Sequence, residues 1–298
     1  MTGEAGTREA RAVQRRQLGV VIALTGAILV VEVAGGIISG SLALLSDAGH
    51  MLTDLLALVL SLMAIRFASL PATPEKSYGY HRLEILTALV NGSFLVAISA
   101  AVLYQAFRRF AEPAPVQSGV MTGVAFVGLL INLAALRILS RSHQSLNIRG
   151  ARMHIVGDTL SSLGVVATGA VIALTGWYRL DPIVGAVIAV VIVVGSVRLV
   201  REAVDVLLEA TPSGIALDEV SAAIATVPGV IEVHDLHIWS ITTGLPALSG
   251  HVRVEDGRNA RSDETLNRIK QTMRDRFGIV HTTIQIESRG YQELGEVH

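Results

Sequence analysis

The sequence predicts an α-helical membrane protein with six transmembrane helices, followed by a small cytosolic α+β domain. Three observations carry that expectation. Of the 298 residues, 51% are hydrophobic and 16% charged, with mean hydropathy +0.55, whereas soluble domains carry about 25% charged residues. Six apolar runs are each long enough to cross a bilayer, which needs about 20 residues. After about residue 208 the texture changes to amphipathic and alternating segments rich in acids.

The stretch "MTGEAGTREARAVQRRQ", residues 1–17, is polar and Arg-bearing and reads as a short cytosolic leader without the features of a signal peptide. The apolar runs follow at 18–38, 42–67, 83–107, 118–140, 152–176 and 181–200. Gly40-Ser41, Pro71 with Pro74, Pro113 with Pro115, and Gly176 with Pro182 mark the breaks. The polar stretch "SRSHQSLNIRG", 140–150, is a further connection. Basic residues near the span ends set the orientation. Arg8, Arg11, Arg15, Arg16, Arg66, Lys76, Arg82, Arg137, Arg141, Arg149, Arg152, Arg198 and Arg201 fall on the N-terminal side, against Arg108, Arg109 and Arg179 on the other. Both termini are therefore expected in the cytosol, and the compact loops suit a multi-pass protein of a bacterial-style inner (cell) membrane.

The helical membrane part is thus 18–207. Residues 208–291 form the second domain, with 292–298 as a tail. Within that domain "IALDEVSAAIATV" reads as an amphipathic helix, and "GVIEVHDLHIWSI" and "ALSGHVRVE" as strands. "SDETLNRIKQTMRDRFG" is a helix starting at Ser262, with Asp263 and Glu264 in its first turn. "HTTIQIES" is a last strand. The order αββαβ predicts helices on one face of a three-stranded sheet, a metallochaperone- or ferredoxin-like sandwich. So small a core gains from packing against a second copy. The net charge of −1, from 24 Lys+Arg and 25 Asp+Glu, gives no reason to expect a nucleic-acid partner, and the absence of Cys excludes disulfides and thiolate metal sites.

Two buried motifs carry the chemistry. "HMLTD", 50–54, and "HIVGD", 154–158, each put a His and an Asp four residues apart inside an apolar run, hence on one helix face. An ionisable group at the bilayer centre costs about 2.5–3.5 kcal/mol even on the insertion scale. One such pair would read as interhelical bonding. Two pairs of matching spacing read as a tetrahedral site of two imidazoles and two carboxylates, His50, Asp54, His154 and Asp158, of the kind Zn²⁺ favours. Two anions also neutralise a dication. Asp47 shares the face of His50 and is expected to orient a neighbour. His154 and Asp158 fall early in their run, so the pairs could differ in depth by about 10 Å. Either the fifth helix begins earlier than hydropathy suggests, or a water-filled cavity reaches inward. Asn91 and Asn132 are expected to bond between helices, Glu32 to act as packing glue in preference to a proton or ion partner, Glu84 to pair with Arg82 or a neighbour, and His81 to lie at the cytosolic surface.

The stretches "GSLALLSDAGHMLTDLLAL", "YGYHRLEILTALVNG", "LNIRGARMHIVGDTLSS" and "VHDLHIWSI…LSGHVRV…TIQIE" together resemble the cation diffusion facilitator family, in particular its zinc-transporter branch. That resemblance implies six spans, a cytosolic αββαβ domain, a homodimer, and export of divalent metal in exchange for protons. It maps the transport site onto His50, Asp54, His154 and Asp158, and the His at position 50 resembles the zinc-preferring pattern. It also implies a regulatory metal in the cytosolic domain, at His234, His251 and Glu287, with His237 and His281 nearby. Alternation in "HDLH" puts 234 and 236 on one face and 237 on the other. The loop that is long and His-rich in some relatives holds only His143 here.

The expected activity is Zn²⁺ efflux by proton-coupled antiport, with alternating access around the four-residue site. Zn²⁺ is substrate and possible regulator. Metal ligands must be deprotonated, so binding releases protons. Cd²⁺, Co²⁺, Fe²⁺ or Mn²⁺ are alternative substrates. An intramembrane metalloenzyme would need an open coordination position and a general base, and no HExxH motif is present. A metal sensor with a signalling tail would not need six spans.

Overall fold

A computed structural model describes residues 22–68, 70–140, 146–255 and 259–291. The expected leader 1–17, the tail 292–298 and His143 lie outside the described residues, as do the side chains of Asp54 and His154. Six long helices come first. They are α1 (Ile22–Ser39), α2 (Leu42–Ala68), α3 (Arg82–Ala111), α4 (Ser118–Ser140), α5 (Leu146–Thr175) and α6 (Leu180–Leu207). Then follow α7 (Leu217–Ala225), β1 (Val230–Thr242), β2 (Leu245–Val254), α8 (Asn259–Phe277) and β3 (His281–Ser288).

Several boundaries differ from the sequence expectation, those of α5 and α6 for one reason. Helix α5 begins at Leu146 rather than 152, so part of the expected polar connection is helical, and α6 runs to Leu207 rather than 200. Apolar runs report where a helix is in lipid, not where its hydrogen-bond ladder stops, and both extensions are polar. Helix α8 starts at Asn259, so Ser262 lies inside its first turn and does not cap it.

The chain divides into two compact units, one of residues up to 60 with 90–199, the other of 61–89 with 200 onward. In the first, small residues let helices approach closely, as expected where lipid supplies no hydrophobic drive between them. Leu42, Ala43, Ala48, Ala125 and Ala189 are buried between α1 to α6, with Ile28, Met51, Met121, Val165 and Ile172. A Cβ at Gly185 would come 3.2 Å from the backbone of Leu42 and Ala43. The outward faces carry bare apolar side chains such as Phe107, Leu174 and Val191, which suits a hydrocarbon surround. Gly40 turns α1 into α2 with φ +69°, a conformation that favours glycine.

In the second unit β1 pairs antiparallel with β2, and β2 parallel with β3, with α8 as the crossover. Val220, Ile224, Ile269 and Met273 of α7 and α8 pack on Ile238, Leu248, Val252 and Val254 of the sheet. This is the αββαβ order expected. The opposite sheet face is left to the odd-numbered residues of β2, His251 and Arg253 among them.

Candidate metal centres

The membrane candidates sit on α2 and α5. Ser161 Oγ donates to Asp47 Oδ1 at 2.6 Å, tying the two helices together. Both side chains lie in the same unit, and Asp47 is 2% exposed. Successive helices joined by short connections alternate direction, so α2 and α5, three apart, run antiparallel. With residue 47 level with 161, equal steps of 1.5 Å per residue bring 50 level with 158 and 54 level with 154. The register therefore pairs each His level with an Asp level. On that register the two pairs lie at matching depth, and α5 starts earlier than its apolar run, at Leu146.

Asp158 is buried at 5% exposure. His50 lines a cavity of about 550 Å³ with Leu95, Gly157, Leu160, Ser161 and Ser196. Thr53 bends back to donate to the His50 carbonyl at 2.6 Å. Asn132 donates to Ser162 at 3.3 Å, the α4 to α5 bond expected of it. Asn91 Oδ1 receives no hydrogen bond, against expectation. Glu32 also departs from expectation. It is 1% exposed, yet neither carboxylate oxygen is hydrogen-bonded, so it is not glue of the hydrogen-bonding kind. Gly128 makes room for it, since a Cβ there would meet Oε1 at 2.6 Å.

One further residue of this unit holds α2 in place. Asp181, at the start of α6, is fully buried. It accepts from Ser41 Oγ (2.6 Å), Leu42 N (2.7 Å) and Ala43 N (3.2 Å), and so caps α2 from another helix. An Asp opening an apolar run just before a Pro was the available clue. Arg109 Nη1 donates to the Gly40 carbonyl beside it.

In the cytosolic domain His234, His251 and Glu287 come together. Each offers a ligand atom within 4.8 Å of the others. Glu287 Oε2 lies 3.3 Å from His234 Nε2, and Oε1 lies 3.3 Å from His251 Nδ1. The Glu287 side chain is 1% exposed, and Oε2 accepts no hydrogen bond. Two imidazoles and a buried carboxylate with spare acceptor capacity fit a Zn²⁺-type ion. Gln285 donates to Oε1 at 3.0 Å, holding the carboxylate.

The simple alternation expected in "HDLH" is overturned. A bulge interrupts β1 at Asp235, where φ is +48°, so His234 opposes His251 while His237 opposes Ser249. Two residues stand against one, and the histidines fall on the same face. His237 nevertheless stays outside the cluster and bonds Asp235 at 2.9 Å. His281 opens β3 and packs edge-on against Tyr78, ring centroids 5.5 Å apart, also outside the cluster. Nearby in the same unit, Thr242 donates to Glu84 Oε2 at 2.9 Å, and Arg82 bonds Glu209 at 2.8 Å. Glu84 thus has a neighbour other than Arg82.

Two domain families match the chain, the cation efflux transmembrane domain over residues 18–208 and the cation efflux protein cytoplasmic domain over 212–289. The metal cation efflux system protein CzcD of Cupriavidus metallidurans is 41% identical over 91% of this chain and 86% of its own length. The cadmium, cobalt and zinc/H(+)-K(+) antiporter of Bacillus subtilis is 36% identical over 91% and 88%. The zinc transporter ZitB of Escherichia coli is 36% identical over 91% and 87%.

Proposed function

Because the chain belongs to the cation diffusion facilitator family, in its zinc-transporter branch, we propose that it exports Zn²⁺ in exchange for protons, by alternating access around His50, Asp54, His154 and Asp158. It is a transporter of divalent metal cations and not an enzyme. The observation that carries the site is the Asp47–Ser161 bond, whose register puts 50 level with 158 and 54 level with 154.

Neutral imidazoles and ionised carboxylates bind the dication from the cytosolic side. On the far side protons return to these groups and the metal leaves. Either occupant avoids bare charge in a low-dielectric setting, which enforces exchange. The cavity beside His50 gives the site an approach. Residues 18–207 carry transport. Residues 208–291 form a cytosolic domain that pairs with a second copy and binds regulatory metal at His234, His251 and Glu287. The names of the Cupriavidus and Bacillus relatives, a metal cation efflux protein and an antiporter, support export as the activity, while the bias of Arg and Lys towards the N-terminal side of the spans supports both termini in the cytosol of a bacterial inner membrane.

A second reading, with Cd²⁺ and Co²⁺ as further substrates, is favoured by the metals named for the Bacillus relative. Both are tested in proteoliposomes with an imposed pH gradient. Wild type should accumulate Zn²⁺ in step with the gradient, and Asp54→Ala should not. Uptake indifferent to the gradient would refute exchange, and equal uptake by Asp54→Ala would refute the site.

A further inference from the structure

The open face of the sheet carries two adjacent rows of polar residues. Strand register makes Glu232, Arg253 and Glu287 cross-strand neighbours over β1, β2 and β3, and the next row is His234, His251 and Gln285. Glu287 stands where the rows meet. Its Oε2 is 3.3 Å from His234 Nε2 and 3.8 Å from Arg253 Nη2. Arg253 reaches the other way as well, donating from Nη1 to Glu232 Oε2. The two carboxylates differ sharply in surroundings. The Glu287 side chain is 1% exposed and that of Glu232 50%.

The same buried oxygen therefore faces both a resident cation and an imidazole of the metal cluster. Arginine stays charged at every working pH, so it cannot step aside by losing a proton. It can step aside only by moving, and the exposed Glu232 is already in its grasp.

We propose that Arg253 is a built-in competitor for Glu287, which yields to a divalent cation by shifting wholly onto Glu232, so that the Glu232–Arg253 pair sets the metal concentration at which the cytosolic site fills. The inference rests on the reading of His234, His251 and Glu287 as metal ligands. Without metal, Arg253 neutralises a carboxylate that would otherwise be buried bare, which is strongly unfavourable. With metal, a guanidinium a few ångströms from a dication repels it. Both effects raise the threshold for filling. A purely structural Arg253, one that only orients Glu287, predicts the opposite sign on removal.

The test uses the full chain in detergent micelles, carrying Asp54→Ala and Asp158→Ala to silence the membrane site, with Zn²⁺ titrated against a chromophoric chelator. Adding His251→Ala should remove one binding event. If it does not, the cytosolic site itself is refuted and the proposal falls with it. Where that event is present, Arg253→Gln should tighten it about tenfold, the scale of one nearby like charge in a partly exposed setting. Glu232→Gln should weaken it several-fold, because Arg253 loses its second acceptor. In the double variant the Glu232 effect should vanish. Unchanged or weaker binding in Arg253→Gln overturns the proposal. Should that variant not fold, as read by elution volume and circular dichroism, Glu232→Gln decides alone, and binding unchanged or tighter overturns it.

Discussion

Ser161 donates to Asp47 across α5 and α2 at 2.6 Å, and that one bond ranks every polar residue along the two helices. Counting inward from it, His50 comes level with Asp158 and Asp54 with His154. Ser161 and His50 also line the same cavity. The bond is thus a spacer as well as a tie, and it gives Asp47 a task distinct from ligation.

If the bond holds the register, Ser161→Ala should cut Zn²⁺ flux several-fold while the protein still folds. The change leaves a buried carboxylate short of a donor, a cost of roughly 1–3 kcal/mol. Ser161→Thr keeps the hydroxyl and should restore most of the flux. Rates in vesicles for the three proteins check this, and equal rates in all would mean that the register is fixed elsewhere.

Proton competition has a definite sign at the membrane site. A metal ligand must be deprotonated, so protons and metal compete for the same side chains. Acidifying the face that loads metal should therefore weaken apparent Zn²⁺ affinity, while acidifying the release face should speed efflux. Initial rates in vesicles with the two compartments buffered separately will show both effects. A rate that responds equally to either face would contradict alternating access.

His50→Asp should shift preference from Zn²⁺ towards Cd²⁺. A nitrogen ligand suits borderline-soft Zn²⁺ in a tight tetrahedron, and its replacement by oxygen loosens that match. Competition between the two metals for uptake measures the shift, and an unchanged ratio would remove position 50 from selectivity.

Much of this architecture was legible because the bilayer and the helix impose fixed periods. Twenty apolar residues must span, and residues four apart must share a face, so the six helices, and the expectation that His50 and Asp54 point the same way, follow from the letters. Helix ends did not, since the extensions at Leu146 and Leu207 are polar and give no apolar signal. The bulge at Asp235 was also hidden. Alternation is a rule of period two, and one extra residue with φ +48° inverts it for His237. Asp181 escaped for another reason. Its partners, Ser41 to Ala43, lie some 140 positions away in the chain, and a cap supplied by a distant helix has no local spacing to read.

That distant cap yields the last prediction. Asp181 satisfies the first amides of α2 and the hydroxyl of Ser41, which itself accepts from Leu44 N at 3.1 Å. In a soluble protein water would replace a lost cap. Here the site is fully buried in a helical bundle that lipid surrounds, and an unmet donor stays unmet. The carboxylate also opposes the positive end of the α2 dipole. Asp181→Ala should therefore cost roughly 2–4 kcal/mol and loosen the end of α2 from which His50 hangs two turns along. Asp181→Asn keeps one acceptor oxygen without the charge and should fall between. Melting temperature in detergent gives the order wild type, Asn, Ala. Zn²⁺ flux should follow the same order, because the cap shares α2 with His50 and Asp54, two of the four proposed transport residues. A melting temperature that does not change in Asp181→Ala would show that α2 is held by packing alone.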